Sequence, residues 1–160
     1  MTMFRPWSVL VLLACLGAVV LPAPQATADA PIVFRGATYL ITLTNAKGEF
    51  VSRGVITLHG DRTLSAINSG QGGPTSFFTS ELGAWKSDGK GGAVGRTLDF
   101  DLPPSSPDVV RLDYTFQFSD NDTQVKGTIT LRTFPLQGNP LDGDGTVVGT
   151  FTFAGTRVTP

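Results

Sequence analysis

Apolar and polar residues alternate with a period of two along most of this chain, and no stretch beyond residue 30 sustains a helical period. In one segment Val110, Leu112, Tyr114, Phe116 and Phe118 share a face, opposed by Arg111, Asp113, Thr115 and Gln117. In another, Val125, Ile129 and Leu131 oppose Lys126, Thr128, Thr130 and Arg132. A third places Val94, Leu98, Phe100 and Leu102 together against Thr97, Asp99 and Asp101. Successive side chains of a strand point to opposite faces, so this pattern predicts strands with one buried and one wet side.

Eight such segments are predicted, separated by clusters of Gly, Pro, Asn and Asp. They are Thr38–Asn45 (with Ile32–Phe34 as a lead-in), Ser52–His59, Thr63–Ser69, Phe77–Lys86, Ala93–Leu102, Val109–Ser119, Gln124–Thr133 and Thr146–Phe153, the last extending toward Val158. The fourth is the most ambiguous, because Ser80–Trp85 could form one helical turn. Gly83 in its middle and the turn that follows favour a strand. From Leu82 to Leu102 the chain reads as a hairpin, with an Asp88-Gly89 pair and further glycines supplying the positive φ angles of a tight reversal. The motif Gly-x-(Ile/Phe)-Thr-(Leu/Phe) recurs at Gly54–Leu58, Gly127–Leu131 and Gly149–Phe153 without a regular period. Each copy is expected to be a strand in which glycine relieves crowding or allows a bend.

A sheet with one apolar face must close over it. The predicted fold is a single all-β domain, an eight-stranded antiparallel up-and-down barrel over 31–160, with a two-sheet sandwich as the alternative. Outside the first thirty residues lie ten of the eleven phenylalanines and no cysteine or methionine, so the core must hold the fold without disulfides.

Residues 1–30 read as a signal peptide: Arg5, an apolar run from Val9 to Leu21, then Pro22, Pro24 and small-x-small sites ending at Ala28 and Ala30. The run is short for a retained membrane anchor. Leu-Leu-Ala-Cys15 resembles a lipobox, which would anchor the protein through a lipid. Because Leu16–Leu21 stay apolar, cleavage near Ala28 or Ala30 and a secreted or periplasmic product without a membrane span are expected instead. Formal charge is −1 with signs interspersed, which gives no footprint for nucleic acid. No feature sets an oligomeric state.

Catalytic signatures are scarce. His59 is the only histidine and is expected to be a solvated strand end. Asp120-Asn121-Asp122 and Asp142-Gly143-Asp144 are better explained as turns than as calcium loops, and the Gly89–Gly92 stretch is no phosphate loop. Asn121-Asp122-Thr123 forms a glycosylation sequon. No cofactor and no metal are expected. What remains is the aromatic face. Tyr39, Ile41, Ile56, Leu58, Leu98, Phe100, Tyr114, Phe116, Phe118, Phe151 and Phe153 are expected to line the interior, either as a filled core or around a small apolar ligand. A buried phenol needs a partner, so Tyr39 and Tyr114 are the candidates for chemistry. Trp85 shares a face with Glu81 and Gly83, and is expected outside the barrel or capping one end. The hairpin is thus expected to set register rather than to hold a site.

The leader, the eight-strand meander and Gly83-Ala84-Trp85-Lys86, here at the fourth segment, resemble secreted bacterial lipocalin-like (calycin) barrels. The strand count is also similar to the barrel of allene oxide cyclases, dirigent proteins and some polyketide cyclases. The first resemblance implies a binding barrel for a small apolar molecule. The second implies a cofactor-free cyclase or isomerase, in which shape does most of the work and a tyrosine or an acid steadies charge. A surface or interaction protein with a filled core is the third expectation.

Overall fold

A computed structural model describes residues 36–72, 77–102 and 108–160. The leader, both candidate cleavage sites, Cys15 and the Ile32–Phe34 lead-in lie outside the described residues. The rest is one closed antiparallel up-and-down barrel in the order β1 (Ala37–Thr44), β2 (Phe50–Leu58), β3 (Thr63–Asn68), β4 (Glu81–Ser87), β5 (Gly92–Asp101), β6 (Asp108–Phe118), β7 (Gln124–Pro135) and β8 (Thr146–Arg157). Each strand pairs with the next, and β1 closes on β8 from Tyr39–Arg157 to Thr44–Thr152. Closure resolves the choice between barrel and sandwich and leaves every strand with two neighbours.

The turns form for local reasons. In the β4–β5 hairpin the Asp88 carboxylate accepts the backbone N–H groups of Lys90 and Gly92, while Gly89 and Gly91 take positive φ. Those two hydrogen bonds hold the Asp88 carboxyl below its ordinary pKa. Asn121 is an Asx turn, accepting from the backbone N–H and hydroxyl of Thr123. Exposed His59 meets the Ser65 hydroxyl at 3.1 Å.

One end of the barrel, where the β2–β3, β4–β5 and β6–β7 turns lie, is filled. Tyr39, Leu58, Leu64, Trp85, Ala93, Phe116, Val125 and Phe153 are all buried there. Phe116 stacks between Tyr114 (5.4 Å) and Phe118 (6.2 Å), with Phe153 edge-on at 5.7 Å. The polar ends of the rings are satisfied by the turns. Tyr39 donates to the Asp122 carbonyl at 3.1 Å, and the Trp85 indole N–H donates to the His59 carbonyl at 2.9 Å. The Arg62 guanidinium lies 4.5 Å over the Trp85 ring. Two of the repeat glycines seat aromatic rings, Gly127 at this end and Gly149 in the other half. A Cβ on Gly127 would collide with the Thr115 carbonyl and the Phe153 ring, and one on Gly149 would stand 3.0 Å from the Phe151 ring.

Two facing expectations are corrected. On β5 the inward residues are Ala93, Gly95, Thr97, Asp99 and Asp101, so Leu98 and Phe100 point outward. Crowding in the filled half sets this phase: a Cβ at Gly95 would stand 2.7 Å from the Leu64 side chain, leaving no room for a bulky inward series. Outside, Phe100 pairs across the ladder with Val109, which is itself buried. On β4 the inward residues are Glu81, Gly83 and Trp85, while Leu82 is outward and 67% exposed. Trp85 therefore sits inside, at the filled end.

The outer face of β5–β7 carries a charge cluster. Asp113 faces Arg96 (2.7 Å), Arg111 (3.1 Å) and Arg132 (3.4 Å). Arg111 is buried because residues 136–145 lie over it: it donates to the carbonyls of Pro140 (2.7 Å) and Gly143 (3.1 Å) and stacks over Phe134. Arg132 holds the same strap through the Asp144 carbonyl at 2.7 Å.

Candidate functional site

The opposite half of the interior is hollow. Here the inward side chains are shorter, and they surround a cavity of about 630 Å³. Ile41 and Leu43 from β1, Ile56 from β2, Ala66 from β3, Leu112 from β6 and Ile129 and Leu131 from β7 supply aliphatic wall, with Phe151 from β8. The space lies beyond the filled aromatic end, toward the end of the barrel where β1, β3, β5 and β7 finish.

Ser52, Asn68 and Thr133 also line the cavity, but its ionisable groups are concentrated in one quadrant of the wall, on the adjacent strands β4, β5 and β6. Residues 77–79 set it up by continuing the β5 ladder past the start of β4. Thr79 N–H donates to the Phe100 carbonyl, its hydroxyl accepts from Phe100 N–H (both 3.0 Å), and Leu102 N–H donates to the Phe77 carbonyl at 2.7 Å. Between the Phe78–Asp101 bridge and the Leu82–Leu98 pair, the β4 side holds one residue more than the β5 side. Such a bulge-like offset re-aims side chains. Continuing the β4–β5 register by one residue puts Glu81 opposite Asp99, both inward.

Glu81 is 5% exposed, and its Oε2 accepts from the Tyr114 hydroxyl and, at 2.9 Å, from the Thr97 hydroxyl. Burial raises its pKa, and these two hydrogen bonds pull the other way. Tyr114 is pushed well above its ordinary phenol value, first by burial and then by the Glu81 charge. Asp99 is also 5% exposed, yet its Oδ1 has no hydrogen-bond partner among the described residues. Burial, then the charges of Glu81 and Asp101, raise its carboxyl to about 7. Two carboxyls side by side in an apolar cavity, one bridged to a phenol and one unsatisfied, cost stability and are not needed for packing.

The residues expected at the site divide three ways. Ile41, Ile56, Tyr114 and Phe151 line the cavity. Tyr39, Leu58, Phe116, Phe118 and Phe153 belong to the filled half, where Tyr39 is consumed by the Asp122 turn and its phenol is pushed up to about 12, mainly by burial. Leu98 and Phe100 are outside. Glu81, Thr97 and Asp99 were missed because their strands were assigned the opposite phase. Their signal was present in the alternation Thr97-x-Asp99-x-Asp101, in phase across the hairpin with Glu81 and Trp85. The hairpin, expected only to set register, carries half of the polar site.

No group of three or more His, Cys, Asp or Glu among the described residues is arranged to hold a metal ion, and none of their helices is long and apolar enough to cross a membrane. Comparison of the chain with protein-family models, curated proteins and solved structures gave no match.

Proposed function

We propose that this protein is a secreted or periplasmic barrel that takes one small, largely apolar molecule into its hollow half. The observation that carries this reading is the cavity of about 630 Å³ left beside a core that is otherwise packed with aromatic rings. Protein interiors normally close such space, and a cavity of this size suits a small ligand. The leader composition supports export. The direct test is titration with Nile red, a neutral dye that brightens in apolar surroundings. Saturable one-to-one uptake is expected, and Ala66→Trp, which fills the cavity from β3, should abolish it while circular dichroism shows the barrel intact. A wild-type barrel that takes up neither dye nor copurifying lipid overturns the proposal.

A second reading, a cofactor-free cyclase or isomerase, is favoured by one specific arrangement. A phenol and two carboxyls meet at the edge of an apolar cavity, where an acid and a base can act on one bound molecule without water. In this reading Tyr114 steadies developing charge and Asp99 moves the proton. Tyr114→Phe should then bind the molecule undiminished and lose its turnover; unchanged turnover would remove this reading.

A further inference from the structure

We infer that the cavity selects amphiphiles with a positively charged head, such as a protonated amine, and places that head against Asp99 and Glu81 with the apolar tail along Ile41, Ile56 and Phe151. This rests on the binding reading above and adds the chemical class of the ligand.

Three observations carry it. The first is the unsatisfied Oδ1 of Asp99, on a side chain 5% exposed that lines the cavity. A buried acceptor without a donor is a vacancy that a ligand N–H fills. The second is the sign of the wall. Glu81, Asp99 and Asp101 all line the cavity, whereas no Lys, Arg or His among the described residues does. A carboxylate ligand would meet only like charge, and a neutral head would leave the acidic pair unbalanced. The third is where the protein has spent its cations. Arg96, Arg111 and Arg132 gather on the outer face around Asp113, separated from the cavity by the sheet itself. Arg62 stacks on Trp85 at the filled end. Among the described residues no cation lines the cavity beside Asp99, and a ligand can bring one.

The acidic quadrant also fixes the orientation. Glu81 is committed to Tyr114 and Thr97, which hold its Oε2 in place, while Asp99, which also lines the cavity, has no such bond at its Oδ1. The ammonium is thus hydrogen-bonded chiefly by Asp99, and Glu81 contributes charge.

Displacement of Nile red by n-decylamine, n-decanol and n-decanoate, which share a tail and differ in the head, tests this. At pH 8 the amine is expected to bind at least about tenfold more tightly than the alcohol, the scale of one charge-assisted hydrogen bond, with the carboxylate weakest. Asp99→Asn should shrink the preference for the amine over the alcohol to within about threefold. The unmodified protein gives an independent readout. Below pH 6 the amine preference should fade as Asp99 gains a proton; Glu81 on β4, Asp101 on β5 and the Tyr114 phenol on β6 are the other titratable groups facing it. Equal binding of all three, tightest binding of decanoate, or a pH-independent ranking would overturn the charge selection and leave the binding reading standing. Failure of Nile red itself to bind would overturn both.

Discussion

The two halves of this barrel are built from the same eight strands and treat the interior in opposite ways. Toward the β2–β3, β4–β5 and β6–β7 turns, ring stacks on ring, glycines make way for aromatic edges, and the Tyr39 hydroxyl and Trp85 N–H are tied to turn carbonyls. Toward the other end the same strands place Ile, Leu, Val and Ala around space, and the Asp99 Oδ1 has no hydrogen-bond partner among the described residues. Packing in the first half therefore stabilises the fold that the second half spends on an unfilled cavity and a pair of neighbouring carboxyls. Sites of this kind are commonly costly to the fold that carries them.

The contrast can be broken most directly by truncating a ring in each half. Phe116→Ala should cost about 3–5 kcal/mol in urea unfolding, because neighbouring rings cannot collapse into the gap. Phe151→Ala, which only enlarges an existing cavity, should cost less than about 2 kcal/mol, and equal losses would erase the distinction. Next in size, Gly127→Ala forces a methyl against the Thr115 carbonyl and the Phe153 ring and should cost about 1–3 kcal/mol, read from the same transition.

A smaller effect, of opposite sign, is expected in the hollow half. Asp99 is held near 7 in the folded barrel, against about 4 when unfolded, so the folded state binds the proton more tightly. Its contribution is fully favourable below about pH 4 and is lost as pH rises through 7. Thermal scans should show a falling Tm across that window, and Asp99→Asn should flatten the slope and stabilise the barrel at pH 8 by about 1–2 kcal/mol. A slope that survives the substitution would assign the titration to another group. Last, Trp85→Phe keeps the ring but loses the N–H bond to the His59 carbonyl, and should cost about 1 kcal/mol with ligand uptake unchanged.

The sequence announced its strands because alternation and turn chemistry are local. All eight segments formed, though β4 begins at Glu81 rather than Phe77, and the β6 and β7 faces, where bulky residues do point inward, were legible. The phase of β4 and β5 was not. Leu98 and Phe100 look like core residues in isolation, and only the crowding of Gly95 by Leu64 and Phe116 shows that the small and polar series must turn inward. That crowding comes from residues distant in sequence. The candidate site was obscured by the same fact: Thr97 and Asp99 read as solvent-facing until Glu81 and Tyr114 are seen beside them. Tyr114 was found because a buried phenol demands a partner, and Tyr39 was misplaced because that demand can be met by a turn carbonyl as easily as by a site.

The seam between β1 and β8 has a consequence in time. Leu43 lies opposite Phe153, and the Thr44 and Thr152 hydroxyls meet at 2.7 Å, so the earliest strand finds its second neighbour only when the latest has been made. Pairing across such a sequence separation carries a heavy loop-closure cost and slows folding. Until β8 docks, β1 and β7 both present bare backbone edges, the surfaces through which strands of different chains join. A chain lacking the last strand would thus be a seed for aggregation rather than a slightly weaker barrel.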